Sequence, residues 1–277
     1  VLDALQTVLG AQREARVLVI AVETVLPRPP EAERRKEDAA TAAREALYDS
    51  VEKNARLDLN FAVLVILSTV VAAIGLIAGN VAVVIGAMVI APLLGPNLAL
   101  GLGTALGDIK VMHKALVANV AGIGIAVALS AILGYFWPFE SLSGELMART
   151  EAGLDSVALE LASGAAAALS LTTGLPSVLV GVMVAVALLP PAATLGLMLG
   201  HGHPDLAFGA GLLLAVNVVC VNLSSKVVFL LRGIRPRTWW EKEKARRAMV
   251  YYIAAWLVTL AILVAAIYFR REHLFGL

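Results

Sequence analysis

Five stretches of this chain contain no Asp, Glu, Lys or Arg: Leu59–Gly107, Ala115–Phe139, Leu161–Pro204, Leu206–Ser225 and Ala248–Phe269. A helix needs about 20 apolar residues to cross the hydrocarbon core of a bilayer. The first and third stretches each hold two crossings and the others one, which predicts an all-α integral membrane protein with seven transmembrane helices. The composition agrees: 60% of residues are hydrophobic and 16% charged, against about a quarter charged in a soluble domain. A net charge of +1 gives no reason to expect nucleic acid as a partner. The single cysteine, Cys220, lies inside a crossing. It has no intrachain partner for a disulfide and reads as a small packing residue.

The crossings are expected near 60–78, 81–105, 109–135, 157–173, 177–200, 206–230 and 249–269. Ahead of them, Ala15–Glu23 is β-branched and strand-like, and Pro27, Pro29 and Pro30 end it. One strand is not a domain, so 1–30 is expected to be the remnant of a soluble N-terminal domain of a longer protein. Residues 31–56 are alanine-rich and charged, and read as a cytoplasmic juxtamembrane helix.

A shift of 95 residues lays 79–101 on 174–196 with ten of 23 positions identical, where shared apolar bias gives roughly three. The matches include Gly86 with Gly181, Met88 with Met183, Pro96 with Pro191 and Gly101 with Gly196. Further on, the shift grows slightly, and Asp108 then meets Asp205 and Asn119 meets Asn217. Two repeats are thus predicted, 57–136 and 157–231, each of three helices. Three is odd, so the second repeat enters the membrane from the opposite side. An external acidic loop, 137–156, joins them. Residues 232–277 supply a basic cytoplasmic segment and a C-terminal transmembrane helix.

Charge placement fixes the expected orientation. With the N-terminus inside, residues 1–58 hold nine Lys and Arg and 231–248 hold seven, while Arg149, Arg270 and Arg271 fall outside. That is the positive-inside bias, and it places the protein in the cell (plasma) membrane, the inner membrane of a bacterium.

Prolines sit within the second and fifth crossings, at Pro92, Pro96, Pro190 and Pro191. A mid-helix proline costs about 3 kcal/mol or more. In lipid, the backbone groups it frees must be packed in protein or line a wet cavity. Matched interruptions in inverted halves point to a transporter site near the midplane. The expected pathway residues are Pro92, Gly95, Pro96, Asn97, Asn119, Pro190, Pro191, Thr194 and Asn217. Asn97 is expected to cap a half-helix that begins beside it, with Thr194 in the similar place of the second copy. Asn119 and Asn217 read either as solute contacts or as bonds between helices. Asp108 and Asp205 read as helix caps, and Lys226 as a side chain that snorkels to the inner surface. No acidic residue is expected deep in a span, which argues against a buried carboxylate relay and favours an anion or neutral solute. No cofactor and no metal site are expected, and no protease or hydrolase motif lies within a span, so the chain is not expected to be an enzyme.

Arg56–Asp58 (RLD), Leu67–Leu76 (LSTVVAAIGL) and Val81–Pro96 (VAVVIGAMVIAPLLGP) resemble the hydrophobic family called domain of unknown function 389, across about 45–231. Its members are bacterial and archaeal membrane proteins, often with a soluble N-terminal domain. The resemblance implies membrane location and assigns no functional residue. Two functions follow as expectations: a transporter or channel for a small solute or ion, or a membrane sensor or scaffold signalling through its N-terminal part. Glycine pairs four apart, such as Gly196 and Gly200, allow close helix contacts within the chain or in a homo-oligomer.

Overall fold

A computed structural model describes residues 56–137, 141–173, 177–234 and 253–270, with side chains described from Leu188 onward in the third segment. The strand read at Ala15–Glu23, the juxtamembrane helix and most of the basic segment before the last helix lie outside the described residues. Those that are described form helices: α1 Leu59–Ile77, α2 Val81–Ile90, α3 Leu94–Leu106, α4 Ile109–Phe136, α5 Gly144–Met147, α6 Leu154–Thr173, α7 Ser177–Gly200, α8 Pro204–Leu231 and α9 Ile253–Arg270. Among the described residues there is no strand.

The polar residues that flank the apolar runs set the helix starts. The Asp58 carboxylate accepts from the Phe61 amide at 2.7 Å, and Asn80 Oδ1 caps α2 through the Val83 amide. Asp108 caps α4, as expected, by accepting from the Lys110 and Val111 amides. Asp205 does not cap α8; His203 holds the cap position, Pro204 opens the helix and Asp205 lies in its first turn. Gly107 ends α3 at φ 67°, a left-handed conformation that favours glycine.

Five helices are long and apolar enough to cross a bilayer: α1, α4, α6 (over Leu154–Thr172), α8 and α9. The α2–α3 pair, bent by 51° at its break, makes a sixth if counted as one crossing. Helix α7 has 24 residues.

In the first half, α1 packs on α2 and α4, and α3 on α4. In the second half, α6 packs on α7 and α8, and α7 on α8. Between the halves, α4 lies along α7, α3 along α8 and α2 against α7. Small residues make the α4–α7 contact close. A Cβ on Gly196 or Gly200 would strike the carbonyl oxygens of Val127 and Ala131, and one on Gly134 would strike that of Leu197. The Gly196–Gly200 spacing thus serves a contact within the chain.

The helix ends gather in two groups. At one, Ser143 Oγ donates to the Leu76 carbonyl, and Arg270 donates to the carbonyls of Thr150 and Asp205. The other collects Leu102, Val111, Phe229 and Ile234, with Trp256 against them. The segment read as a plain acidic loop contains α5, capped by Ser143, and Leu146 there is fully buried.

The expected interruption of the fifth crossing is not observed: α7 runs through Pro190 and Pro191 as one helix. The break in the first half has a local cause. Ala91, which precedes Pro92, is extended at φ −67°, ψ 123°, the region into which a following proline drives a residue. The counterpart of Pro92 under the 95-residue shift is Ala187, which exerts no such constraint. The matched prolines are both helical. Pro96 falls in the first turn of α3, where a missing N–H costs nothing. Pro191 is carried within α7 by packing, with Leu188, Leu189, Ala192, Ala193, Leu197 and Met198 all fully buried.

Candidate functional site

The α2–α3 break places Asn97 inside the bundle. Helix α3 restarts at Leu94, and its N-cap, Leu93, makes no side-chain cap bond. The expectation that Asn97 caps the half-helix is therefore corrected. The extended residue is Ala91, so the helix resumes a full turn before Asn97. Its Nδ2 instead turns back to the Leu93 carbonyl at 3.3 Å.

The same Nδ2 donates to Asn119 Oδ1 on α4 at 2.8 Å. Asn97 Oδ1 accepts from Asn222 Nδ2 on α8 at 2.6 Å, and Asn222 Nδ2 also donates to the Val218 carbonyl. Three asparagines on three helices thus form one directional chain, Asn222 to Asn97 to Asn119. All three are buried, Asn97 and Asn222 completely. Two polar atoms at its ends, Asn119 Nδ2 and Asn222 Oδ1, are buried without a hydrogen-bond partner. An unmade hydrogen bond at a buried amide costs about 1–3 kcal/mol. The cluster therefore offers a guest one donor and one acceptor, with no formal charge among its members.

Of the other expected pathway residues, Pro92 and Gly95 are half-buried at the break and Pro96 is buried beside Asn97. Pro190, Pro191 and Thr194 are buried on α7, and Asn217 is buried on α8. Thr194 Oγ1 has no hydrogen-bond partner. Of the matched pair, Asn119 bonds Asn97 directly, and the other side of Asn97 is taken by Asn222. The signal for Asn222 was present in the sequence, an amide in a charge-free run, but no matching asparagine in the first half singles it out.

Two ionisable side chains also prove to be buried. Glu160, on α6, is 4% exposed with Oε2 unpartnered. It borders the charge-free run that begins at Leu161, so a boundary drawn from charge puts it at the membrane edge. The helix starts at Leu154, three residues before the expected crossing, so Glu160 lies nearly two turns into it and is buried. Lys226 does not snorkel. It is 1% exposed, and its Nζ lies over the Trp256 ring of α9, 4.3 Å from the centroid. The indole face takes the place of water around the ammonium.

The sequence pattern of the family described as Domain of unknown function (DUF389) matches residues 88–223. An uncharacterized protein of Methanocaldococcus jannaschii is 36% identical over 270 residues, which cover 97% of this chain and 83% of the relative. The chain belongs to the DUF389 family. No solved structure matches it. The matched DUF389 region contains the break, all three asparagines of the triad and Glu160, and ends just before Lys226.

Proposed function

We propose that this chain is a membrane transporter or channel for a small polar solute, neutral or anionic, with its pathway beside the α2–α3 break. One observation carries the reading. A broken helix in the middle of an apolar bundle abuts a buried asparagine chain that ends in an unpartnered donor and an unpartnered acceptor. Irregular backbone at membrane depth belongs where it is packed in protein or lines a cavity. Uncharged amides that lack partners suit a solute that hydrogen-bonds without needing a counter-charge.

The reading includes seven crossings in two inverted repeats. Exchanging α1, α2–α3 and α4 with α6, α7 and α8 converts the contacts α1–α4, α3–α4 and α4–α7 into α6–α8, α7–α8 and α3–α8, all of which are made. The two groups of helix ends support a count of seven crossings running alternately between them. Positive charge favours a cytoplasmic N-terminus in the plasma membrane. The reading assigns no catalysis and no cofactor, and it permits a homo-oligomer, which native mass spectrometry would count.

The test is flux through liposomes containing the purified chain, followed by light scattering for small neutral solutes and by ion-selective dyes for small anions. Asn97→Leu is expected to abolish the flux while the protein stays monodisperse. Wild-type protein with no flux for any solute, together with a stable partner recovered through the N-terminal part, would establish the sensor or scaffold reading instead.

A further inference from the structure

The asparagine triad leaves Glu160 unused. A carboxylate inside a membrane bundle is costly to keep unless it is paired, hydrogen-bonded or protonated. Glu160 is six residues into α6, about 9 Å along the helix at 1.5 Å per residue. Its neighbours Val157 and Leu161 pack into a cluster with Leu212, Val216 and Cys220 of α8 and Ile267 of α9. The carboxyl group thus lies in the seam of three helices. Next along α6, Gly164 lets α8 approach so closely that a Cβ there would strike Ser224 Oγ. The seam closes tightly on the inner side of Glu160.

The charged and titratable groups around it are few. From α8, Cys220 faces it closely enough to interact electrostatically, and Asp205 lies at the outer end. From α6 itself, Asp155 is exposed at the rim. From α9, Arg270 spans the rim, its guanidinium engaged by the Thr150 and Asp205 carbonyls. Lys226 is six residues past Cys220, about 9 Å further in, against Trp256. None of these makes an ion pair with Glu160 among the described residues.

We propose that Glu160 is a reversible proton-binding site of the membrane domain, reached from the face where Arg270 bridges α9 to Thr150 and Asp205. The step is simple: the carboxylate takes a proton from water at that face and returns it there when the seam loosens. A proton is the occupant that fits. A metal ion needs several ligands, and among the described residues no three His, Cys, Asp or Glu side chains converge. Oε2 is buried without a donor, which leaves one oxygen ready to carry the hydrogen. The site is separate from the asparagine triad and stands or falls independently of solute flux.

Infrared difference spectroscopy on the full chain in lipid bilayers tests this, with buffer pH cycled over the adhered film. Wild type is expected to show a reversible protonated-carboxyl band that is lost in Glu160→Gln and displaced in Glu160→Asp. Identical spectra for wild type and Glu160→Gln would overturn the proposal. So would a band that appears only when the amide signal reports unfolding. If Glu160→Gln fails to assemble, Glu160→Asp decides, because an unshifted band assigns the proton elsewhere.

Discussion

Pro96 and Pro191 occupy matched places in the two halves of the bundle, yet one half is broken and the other is not. The break falls at Pro92, whose counterpart under the 95-residue shift is Ala187. Ala91 before it is extended, and the chain restarts as α3 with Asn97 one turn inside. The second half keeps its prolines within a continuous α7, pressed against α4 through Gly196 and Gly200. A repeated sequence thus yields a polar, interrupted first half and a tightly packed second half. The matched residues preserve the scaffold, and the unmatched ones make the difference in chemistry.

The matched glycines give the largest test of that contrast. A methyl group on Gly196 would strike the Val127 carbonyl oxygen and press on the Ala131 amide, and neither backbone can retreat without parting α4 from α7. On Gly101 it would meet mainly the Ser225 hydroxyl, at 2.5 Å, the end of a side chain able to rotate. Gly196→Ala is expected to cost about 3 kcal/mol, at the upper end for overpacking, and Gly101→Ala about 1 kcal/mol. Thermal melts in one detergent compare them. Equal losses would mean that the halves are packed alike.

Asn97→Leu comes next. It removes the middle of the triad and leaves Asn119 Oδ1 and Asn222 Nδ2 facing an apolar group. Hydrogen bonds between membrane helices are worth about 0.6–2 kcal/mol, so a loss of roughly 2 kcal/mol is expected, with solute flux abolished. Thr194→Val, at the second-half residue expected to resemble Asn97, removes a hydroxyl without a hydrogen-bond partner. It should leave stability and flux near wild type. A large flux loss from Thr194→Val would restore functional symmetry between the halves.

Much of this architecture was legible from charge-free runs, because lipid excludes charge and imposes helices over the whole length of a crossing. The expected start at 109 and the Asp108 cap match α4, and 177–200 coincides with α7. What could not be read was the consequence of each proline. Pro92 and Pro190 look alike in sequence, but whether a proline breaks a helix depends on the packing around it. Asn222 and Glu160 were obscured for a related reason. Repeat matching draws attention to residues that recur, and charge boundaries place a carboxylate at the edge when the helix begins a turn earlier. Lys226 looked like a snorkelling side chain until α9 supplied an indole ring to cover it.

The prolines themselves sharpen the comparison at a smaller scale. Pro92→Ala releases the constraint on Ala91 and lets α2 and α3 straighten. The fold should persist, because Leu93 and Pro96 stay packed, while flux falls several-fold. Pro190→Ala restores an N–H that can bond the Val186 carbonyl inside α7, and is expected to leave flux unchanged and stability equal or slightly higher. If Pro190→Ala lowers flux as much as Pro92→Ala does, the second half also uses its prolines for passage, and the continuous α7 is one of two states.

The smallest expected effect concerns the covering helix α9, which belongs to neither half. Lys226 belongs to α8, the last helix of the second half, and on the offset that pairs Asn119 with Asn217 its counterpart in α4 is the uncharged Ala128. Its contact with Trp256 replaces hydration of the ammonium by an aromatic face, worth about 0.5–2 kcal/mol when desolvated. Lys226→Met keeps the length of the side chain and removes the charge, and Trp256→Leu keeps an apolar cover and removes the ring. A double-mutant cycle on thermal stability should return a coupling of about 1 kcal/mol between them. The Lys226→Met change alone should be nearly neutral, since it gives up the cation–π contact together with the cost of burying a charge. A coupling near zero would mean that α9 merely leans on the second half, and that something other than the indole keeps Lys226 inside the bundle.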